Sequence, residues 1–274
     1  MTAGRFEGRR ALVTGASRGI GAGIAQRLAA EGADVVLVAR TLDSIPDIAG
    51  SLTQTQEALR KYGTRVGTVV ADLADEQSRA RMIPAAEEFL GGSVDILVNN
   101  AVAAVMEPIT DISVQTQRLA FECNVIAPLD LAQAVIPGMR AAGAGWIVNL
   151  TSAGARLHEG PPFHLGPQGS TMELYGVTKA ALNRATSGLA GDLHGSGVRV
   201  NAVGPQVAVM SEGFKALIGD ALPAEMFESV EEIVEAVVAL CDCPEDCTGK
   251  IASSLDLIAE LGLDVYGLDG LARD

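Results

Sequence analysis

The stretch ALVTGASRGIGAGIAQRLAAEG, residues 11–32, joins a short apolar segment to a longer helical pattern through a glycine-rich turn. In this turn, TGASRGIG (14–21), Gly15 allows a sharp change of direction. Gly19 and Gly21 remove side chains that would obstruct a diphosphate or the packing of helix on strand. The N–H groups and dipole at the start of the helix favour an anion. We therefore predict a nucleotide-binding strand–turn–helix unit. The spacing is GxxxGxG rather than GxGxxG, and glycine-rich turns without a nucleotide remain the alternative.

The rest of the chain repeats this alternation of apolar strand and amphipathic helix. Further strands are predicted at 33–40, 65–73, 94–101, 145–152 and 198–205, and the long helices at about 113–142 and 173–194. Nearly continuous apolar strands separated by helices of this length indicate βαβ units with helices on both faces of the sheet. The predicted fold is α/β, a Rossmann-like doubly wound parallel sheet of about seven strands, in one domain over 1–274.

Composition narrows the classes of partner. Hydrophobic residues make up 48% of the 274 residues and aromatic residues only 4%, as suits aliphatic helices packed on a parallel sheet. The formal charge of −14 argues against nucleic acid or an anionic membrane as the main partner. The sequence contains no run of roughly 18 apolar residues, so we do not expect a membrane span. The N-terminal sequence MTAGRFEGRR does not resemble a signal peptide.

The four cysteines, Cys123, Cys241, Cys243 and Cys247, include the cluster CDCPEDC. A structural zinc site normally has four ligands, and no second CxxC or HxxxH pair supplies the fourth. We predict no metal, and a reduced turn at a helix end is the alternative reading of the cluster. Unpaired cysteines and the lack of a leader favour a cytoplasmic location.

Two segments interrupt the strand–helix rhythm, at about 153–173 and 206–227. Both follow the carboxyl ends of strands, where open α/β sheets bind ligands, and loops of this length usually serve binding. Apolar or histidine side chains in them predict a mostly apolar substrate pocket; these are Leu157, His158, Phe163, His164, Leu165, Val207, Met210, Phe214 and Leu217. The substrate expected here is a small hydrophobic secondary alcohol or its ketone.

The end of the second strand predicts the cofactor preference. Sites for NAD usually have an acidic residue there, whereas this chain has Ala39-Arg40, with Arg18 in the glycine turn. Two guanidinium groups suit a 2′-phosphate through charge-assisted hydrogen bonds. The prediction is NADP(H), with NAD(H) as the alternative. Two solvated arginines are the other reading.

In LYGVTK (174–179), Tyr175 and Lys179 lie one turn apart on the same face of a predicted helix. A free tyrosine has a pKa of about 10. A nearby ammonium, helped by the positive charge of an oxidised nicotinamide, can lower this pKa by roughly 1–3 units. Tyr175 is therefore a candidate acid/base for an alcohol or carbonyl. Ser152, at the end of the fifth strand, is expected at the same sheet edge, where it can hydrogen-bond the substrate oxygen.

These motifs in this order, with Asp72-Leu73, NNA (99–101) and Asn124, resemble the short-chain dehydrogenase/reductase family over roughly residues 8–255. The resemblance implies that Tyr175 is the acid/base, Ser152 orients the carbonyl, and Lys179 binds the nicotinamide ribose and tunes Tyr175. It implies a water-holding relay role for Asn124. The cofactor contacts that it implies are Gly15, Ser17, Arg18, Gly19, Ile20, Gly21, Arg40, Asp72, Leu73, Asn100, Ala101, Tyr175, Lys179, Pro205 and Ala208. A helix-bending role for Asn124 and a turn role for Asp72 stay open.

Several positions depart from the family pattern. NNAG reads NNAV, so Val102 is expected to narrow the cleft, and the usual Pro-Gly pair reads Pro205-Gln206 with Met210 at the threonine position. Backbone groups near Ala208, with Ser211, are expected to hold the nicotinamide instead. The tail TGKIASSLDLI (248–258) looks like a branch with citronellol-type and hydroxysteroid-dehydrogenase-like members.

Three alternative functions are compatible with this fold. The protein could be an oxidoreductase, a nucleotide-binding regulator without turnover, or an epimerase or dehydratase. The intact Ser152, Tyr175 and Lys179 favour the first. The resemblance also implies a homotetramer, or a dimer, whose seam lies on the fourth and fifth predicted helices. Ala181, Leu182 and Leu189 are candidates for that seam or for the internal core.

Overall fold

The computed structural model describes residues 4–44, 49–165, 169–209 and 227–273, and all structural statements concern these ranges. A seven-stranded parallel sheet has the strand order β3-β2-β1-β4-β5-β6-β9. Its strands are β1 (Arg10–Thr14), β2 (Asp34–Ala39), β3 (Val66–Val70), β4 (Ile96–Asn99), β5 (Gly145–Leu150), β6 (Val198–Gly204) and β9 (Ile251–Ser253). The predicted α/β Rossmann-like sheet is confirmed.

Eight α-helices occur in the described part of the chain, seven of them between strands and the last one after β9. They are α1 (Gly19–Ala30), α2 (Leu52–Leu59), α3 (Glu76–Leu90), α4 (Val114–Phe121), α5 (Ala127–Ala142), α6 (Glu173–Asp192), α7 (Val230–Leu240) and α8 (Ser254–Leu261). Side chains of Ser51, Asp75, Ser113 and Ser229 accept backbone N–H bonds at the starts of α2, α3, α4 and α7. Such caps fix where each helix begins.

Each central strand is buried on both faces, which explains its unbroken apolar sequence. On β1, Val13 belongs to the core beneath α1 and α7, whereas its neighbour Leu12 belongs to the core beneath α3 and α5. On β4, Val98 belongs to the core beneath α1 and α7, and Leu97 belongs to the core beneath α3 and α5. The alternation follows from the two-residue period of a strand between helical layers.

The strand order reverses between β1 and β4. The chain proceeds outward from β1 to β2 and β3, and then crosses back so that β4 lies on the other side of β1. The loops after β1 and β4 therefore diverge and leave a crevice at the carboxyl edge of the sheet, the usual ligand site of such folds.

Two predicted elements differ in the structure. The helix predicted over 113–142 contains a π-helical turn, Glu122–Ile126, which separates α4 from α5. The segment predicted as a loop at 206–227 is bounded by a small parallel pair, β7 (Ala208–Val209) and β8 (Phe227–Glu228). Residues 210–226, which include Met210, Ser211, Phe214 and Leu217, lie outside the described residues.

Candidate functional site

The glycine turn between β1 and α1 has a conformation that other residues would obstruct. Gly15 has a φ of +69°, and a Cβ there would lie 2.7 Å from Nδ2 of Asn100. A Cβ on Gly21 would collide with the backbone carbonyl of Gly15. The turn thus leaves a cradle of bare backbone at the start of α1, and a diphosphate suits such a cradle.

Hydrogen bonds fasten the cradle to the end of β4. The hydroxyl of Thr14 accepts the backbone N–H groups of Asn100 and Ala101, each at 3.0 Å. In return, Nδ2 of Asn100 donates to the carbonyl of Thr14 at 2.8 Å. The predicted NNA motif therefore holds the two strand ends together at the point where the strand order reverses.

A cleft of about 1270 Å³ opens above this edge. Of the predicted site residues, all except Lys179 and Asn124 line it: Gly15, Ser17, Arg18, Gly19, Ile20, Gly21, Arg40, Asp72, Leu73, Asn100, Ala101, Ser152, Tyr175, Pro205 and Ala208. Its size, its glycine cradle and these residues fit a nicotinamide dinucleotide.

The two arginines of the predicted phosphate site have different surroundings. Arg18 donates from Nε to the carbonyl of Ala49 at 2.7 Å and from Nη2 to that of Gly50 at 3.0 Å. Arg40 is exposed at the rim of the cleft. The carboxylate of Asp43, three residues further on, accepts the hydroxyl of Thr53 at 2.8 Å and does not line the cleft.

Asp72 is exposed at the cleft, next to the buried Leu73. Its Oδ1 accepts the N–H of Ala74 at 2.9 Å, and its own N–H donates to Ser78 Oγ at 3.0 Å. Asp72 is therefore a turn residue after β3 and at the same time a wall of the cleft.

Ser152 and Tyr175 are neighbours at the edge of the cleft, close enough for the Ser152 hydroxyl to lower the pKa of Tyr175. Ser152 follows β5, and its Oγ also accepts the N–H of Gly154 at 3.1 Å, which shapes the short turn Ala153–Ala155. A Cβ on Gly176 would strike the carbonyl of Gly154, so this glycine lets α6 approach the serine turn closely. The structure brings together the two hydroxyl groups that were predicted to contact a substrate oxygen.

Lys179 lies below Tyr175, with only 2% of its surface exposed. Its Nζ donates to the carbonyl of Leu150 at 2.5 Å and lies 5.7 Å from the centre of the Tyr175 ring. Burial lowers the pKa of Lys179 from 10.5 to about 8.

The pKa of Tyr175 departs from the sequence-based expectation. Burial raises it above the usual 10, and the hydrogen bond from Ser152 lowers it only in part. The expected lowering included the positive charge of an oxidised nicotinamide, which the protein alone does not supply. In the protein alone Tyr175 is a neutral phenol, a proton donor rather than a base.

Asn124, 1% exposed, lies in the π-helical turn. Its Oδ1 accepts the N–H of Ala103 at 2.8 Å, and its Nδ2 donates to the carbonyl of Ala103 at 3.1 Å and to Thr178 Oγ1 at 3.0 Å. Thr178 in turn donates to the carbonyl of Tyr175 at 2.8 Å. Asn124 thus ties the loop after NNA to the Tyr175 helix, and its water-relay role stays a prediction.

Part of the segment after Ser152 lines the cleft, and its role in binding substrate stays a prediction. Leu157, His158, His164 and Leu165 line the cleft, whereas Phe163 is 62% exposed and does not. Val102 and Val207 line the cleft from the other loops, and sequence reasoning missed Met106, Leu119 and Met172. These lining side chains are mainly apolar, and His158, His164 and Arg156 are the polar ones that the segment after Ser152 adds.

Glu228 is a buried carboxyl that sequence reasoning missed. It is 4% exposed, its Oε2 accepts the hydroxyl of Ser254, and its buried Oε1 has no hydrogen-bond partner among the described residues. Burial is the main cause that raises its pKa from 4.5 to about 7. Glu228 pairs with Val209 across β7 and β8, so it lies near the cleft-lining turn Pro205-Gln206, where the usual Pro-Gly pair is missing. Its partners are distant in sequence, so no local pattern indicated this role.

A family model described as short chain dehydrogenase matches residues 9–222. The chain belongs to the short-chain dehydrogenase family. It is 35% identical over 249 residues to the L-xylulose reductase of Bos taurus, covering 86% of this chain and 90% of that protein. It is 28% identical over 269 residues to hydroxysteroid dehydrogenase-like protein 2 of Mus musculus, spanning 97% of this chain and 52% of the longer relative.

A solved short-chain dehydrogenase structure also supports a nicotinamide cofactor. The L-sorbose reductase of Gluconobacter frateurii, complexed with NADPH and L-sorbose, has a TM-score of 0.74 and 29% identity to this chain. The match covers 92% of this chain and 97% of that one. The family and the cradle together identify an oxidoreductase that binds a nicotinamide dinucleotide.

The described structure also bears on two sequence predictions, that the protein binds no metal ion and has no membrane-spanning helix. No group of three or more His, Cys, Asp or Glu side chains is arranged for a metal ion within the described ranges. The helix over Val114–Ala142 is long and apolar enough to cross a membrane, with half of the apolar window buried in the fold. Core helices of soluble proteins have the same property, so it is weak support for a span.

Proposed function

We propose that this short-chain dehydrogenase transfers a hydride between NADP(H) and a hydrophobic secondary alcohol or its ketone. The observation that carries the proposal is that the hydroxyl groups of Ser152 and Tyr175 line the same cleft, with the buried cation of Lys179 5.7 Å from the centre of the Tyr175 ring. When bound, the dinucleotide supplies or accepts the hydride.

Each catalytic side chain has a task that suits its surroundings. In the reductive direction, Ser152 Oγ and Tyr175 Oη donate to the carbonyl oxygen, and Tyr175 releases its proton to that oxygen as negative charge develops. The ammonium of Lys179 stabilises the phenolate that remains. In the oxidative direction, the phenolate takes the proton back from the alcohol. Asn124 positions Tyr175 through Thr178.

The preference for NADP(H) rests on the charge at the end of β2. Arg40 is exposed at the rim, Arg18 is held over the turn by two carbonyl groups, and no carboxylate follows the strand directly. A 2′-phosphate there gains charge-assisted hydrogen bonds, whereas a ribose hydroxyl has no acidic partner.

The side chains that line the cleft support the proposed class of substrate, a hydrophobic alcohol or ketone. Leu157, Leu165, Met106 and Met172 add apolar surface to the cleft that Tyr175 also lines, and such surface suits aliphatic or terpenoid carbon. A small polyol or ketose is the second candidate, because L-xylulose and L-sorbose reductases are among the similar proteins. The side chains that would hydrogen-bond the hydroxyl groups of such a polyol or ketose are His158, His164 and Arg156.

The test is a panel of terpenoid, aliphatic and sugar alcohols and ketones, assayed with NADPH/NADP⁺ and NADH/NAD⁺. Turnover of hydrophobic ketones with NADPH supports the proposal. Turnover confined to sugars selects the polyol candidate, and binding without net cofactor oxidation points to a silent regulator or to an epimerase or dehydratase.

We also propose a cytoplasmic homo-oligomer, a tetramer or dimer, whose seam runs over α4, α5 and α6. Large side chains there stay partly exposed, including Val114, Phe121, Ile126 and Val177, whereas Leu182 is buried in the core. Analytical ultracentrifugation of wild type and Phe121→Asp tests the seam. A monomeric wild type would contradict it.

A further inference from the structure

Two thiols meet in the turn that connects α7 with β9. The Cys243 thiol donates to the carbonyl of Cys247 at 3.2 Å, and the two thiols are near enough to change each other's pKa. Neither residue lines the cofactor cleft. The pair is thus separate from the proposed catalytic chemistry.

The turn is held in place by side chains of two central strands. On β5, Trp146 Nε1 donates to the carbonyl of Cys243 at 3.0 Å. On β6, Asn201 Nδ2 donates to the carbonyl of Cys247 at 2.8 Å and to Cys243 Sγ at 3.5 Å. These bonds and the contact of Cys243 Sγ with the Cys247 carbonyl hold both cysteines in one turn, four residues apart in sequence.

The two thiols differ in exposure and acidity. Cys243 is only 5% exposed, whereas Cys247 is partly open to solvent. The Cys243 hydrogen bond and the Lys250 ammonium lower the pKa of Cys247 to about 7, against the opposing effect of burial. Burial raises the pKa of Cys241 and of Cys123. Cys247 is therefore the thiol that should react first.

We propose that Cys247 and Cys243 form a reversible modification site for low-molecular-weight disulfides. The Cys247 thiolate attacks one sulfur of a disulfide such as oxidised glutathione, which forms a mixed disulfide and releases one glutathione thiolate. Cys243 then loses its proton to solvent and attacks Cys247 Sγ, which displaces the second glutathione. Two protein thiols are oxidised and one glutathione disulfide is reduced to two thiols. Transient disulfides of this kind occur in otherwise reducing compartments.

Peptide mass spectrometry after incubation of the full chain with oxidised glutathione tests the site. Wild type should lose two hydrogen masses within the segment 241–250, with Cys123 and Cys241 still free to be alkylated. Cys243→Ser should instead accumulate glutathione on Cys247, and Cys247→Ser should show neither product. Modification mainly at Cys123 or Cys241, or an unmodified wild type, would overturn the proposal.

The rate of alkylation against pH gives a second readout that depends on wild type alone. The fastest-reacting thiol should be Cys247, with a midpoint near pH 7, well below that of a free cysteine. Cys243→Ala should shift the midpoint upward, because it removes the hydrogen-bond donor. A wild-type midpoint at or above the free-cysteine value would contradict the assigned roles. Unchanged NADPH binding by Cys247→Ser serves as the folding control.

Discussion

The ammonium of Lys179 donates a hydrogen bond to the backbone carbonyl of Leu150 across 2.5 Å, in a position closed to solvent. The fold thereby keeps a cation beneath the ring of Tyr175, although burial disfavours the charge and lowers its pKa to about 8. A cation so placed is useful to a phenol that must carry negative charge. It is a burden on stability.

Replacing Lys179 by Met should therefore stabilise the protein near neutral pH while removing activity. A lysine with a lowered folded-state pKa contributes stability above its unfolded pKa of 10.5, and this contribution is lost as the pH falls through about 8. At pH 7 the variant should gain roughly 1–3 kcal/mol in urea unfolding, and the gain should shrink toward pH 10. The exposed Lys61→Met is the control. A variant less stable than wild type at pH 7 would contradict this account.

Gly21→Ala should disrupt the phosphate cradle. The new Cβ would collide with the carbonyl of Gly15, so dinucleotide affinity should fall more than ~10-fold and stability by roughly 1–3 kcal/mol. Gly191→Ala, on an exposed part of α6 with open space around the new Cβ, is the matched control. It should be neutral or stabilise by about 0.5–1 kcal/mol. Equal effects of the two changes, measured by NADPH fluorescence and thermal unfolding, would count against the cradle.

Arg40→Ala should shift cofactor preference. Loss of a charge-assisted hydrogen bond to the 2′-phosphate should lower kcat/KM for NADPH by ~10–100-fold and leave the value for NADH nearly unchanged. Arg18→Ala should act in the same direction, with added loosening of the 49–50 loop. Arg60→Ala, exposed and paired with Glu57, is the control. An unchanged ratio of the two cofactors would reject the preference for NADP(H).

Glu228→Gln should remove a pH dependence of stability. A carboxyl whose folded pKa is raised to about 7 contributes stability below its unfolded pKa of 4.5, and this is lost as the pH rises through 7. The variant should match wild type at pH 5 and exceed it by roughly 1–3 kcal/mol at pH 8. The neighbouring Glu232 carboxylate adds to the effect, and the exposed Glu88→Gln is the control. Parallel stability curves for wild type and variant would contradict the buried-proton assignment.

The fold and much of the cleft were predictable because their signals are local. Periodicity located β1, β2 and α1, and the glycine turn and Tyr175-Lys179 spacing carry their geometry within a few residues. The order of these units along the chain then determined which strand ends meet at the edge of the sheet.

Other features depend on contacts between distant residues and have no local pattern. The π-helical turn that places Asn124 against Ala103 and Thr178 reads as plain helix in sequence. The raised pKa of Tyr175 reflects burial by the assembled fold. Glu228 acquires its partner Ser254, 26 residues further along the chain, only when β8 lies against the start of α8.

The most direct test of the central claim is single-turnover reduction by Tyr175→Phe. The claim is that the Tyr175 phenol exchanges a proton with the substrate oxygen beside a bound nicotinamide. The variant should bind NADPH as wild type does in a fluorescence titration, and its hydride-transfer rate should fall by ~10²–10⁴-fold. Hydride transfer at the wild-type rate, with binding intact, would contradict it.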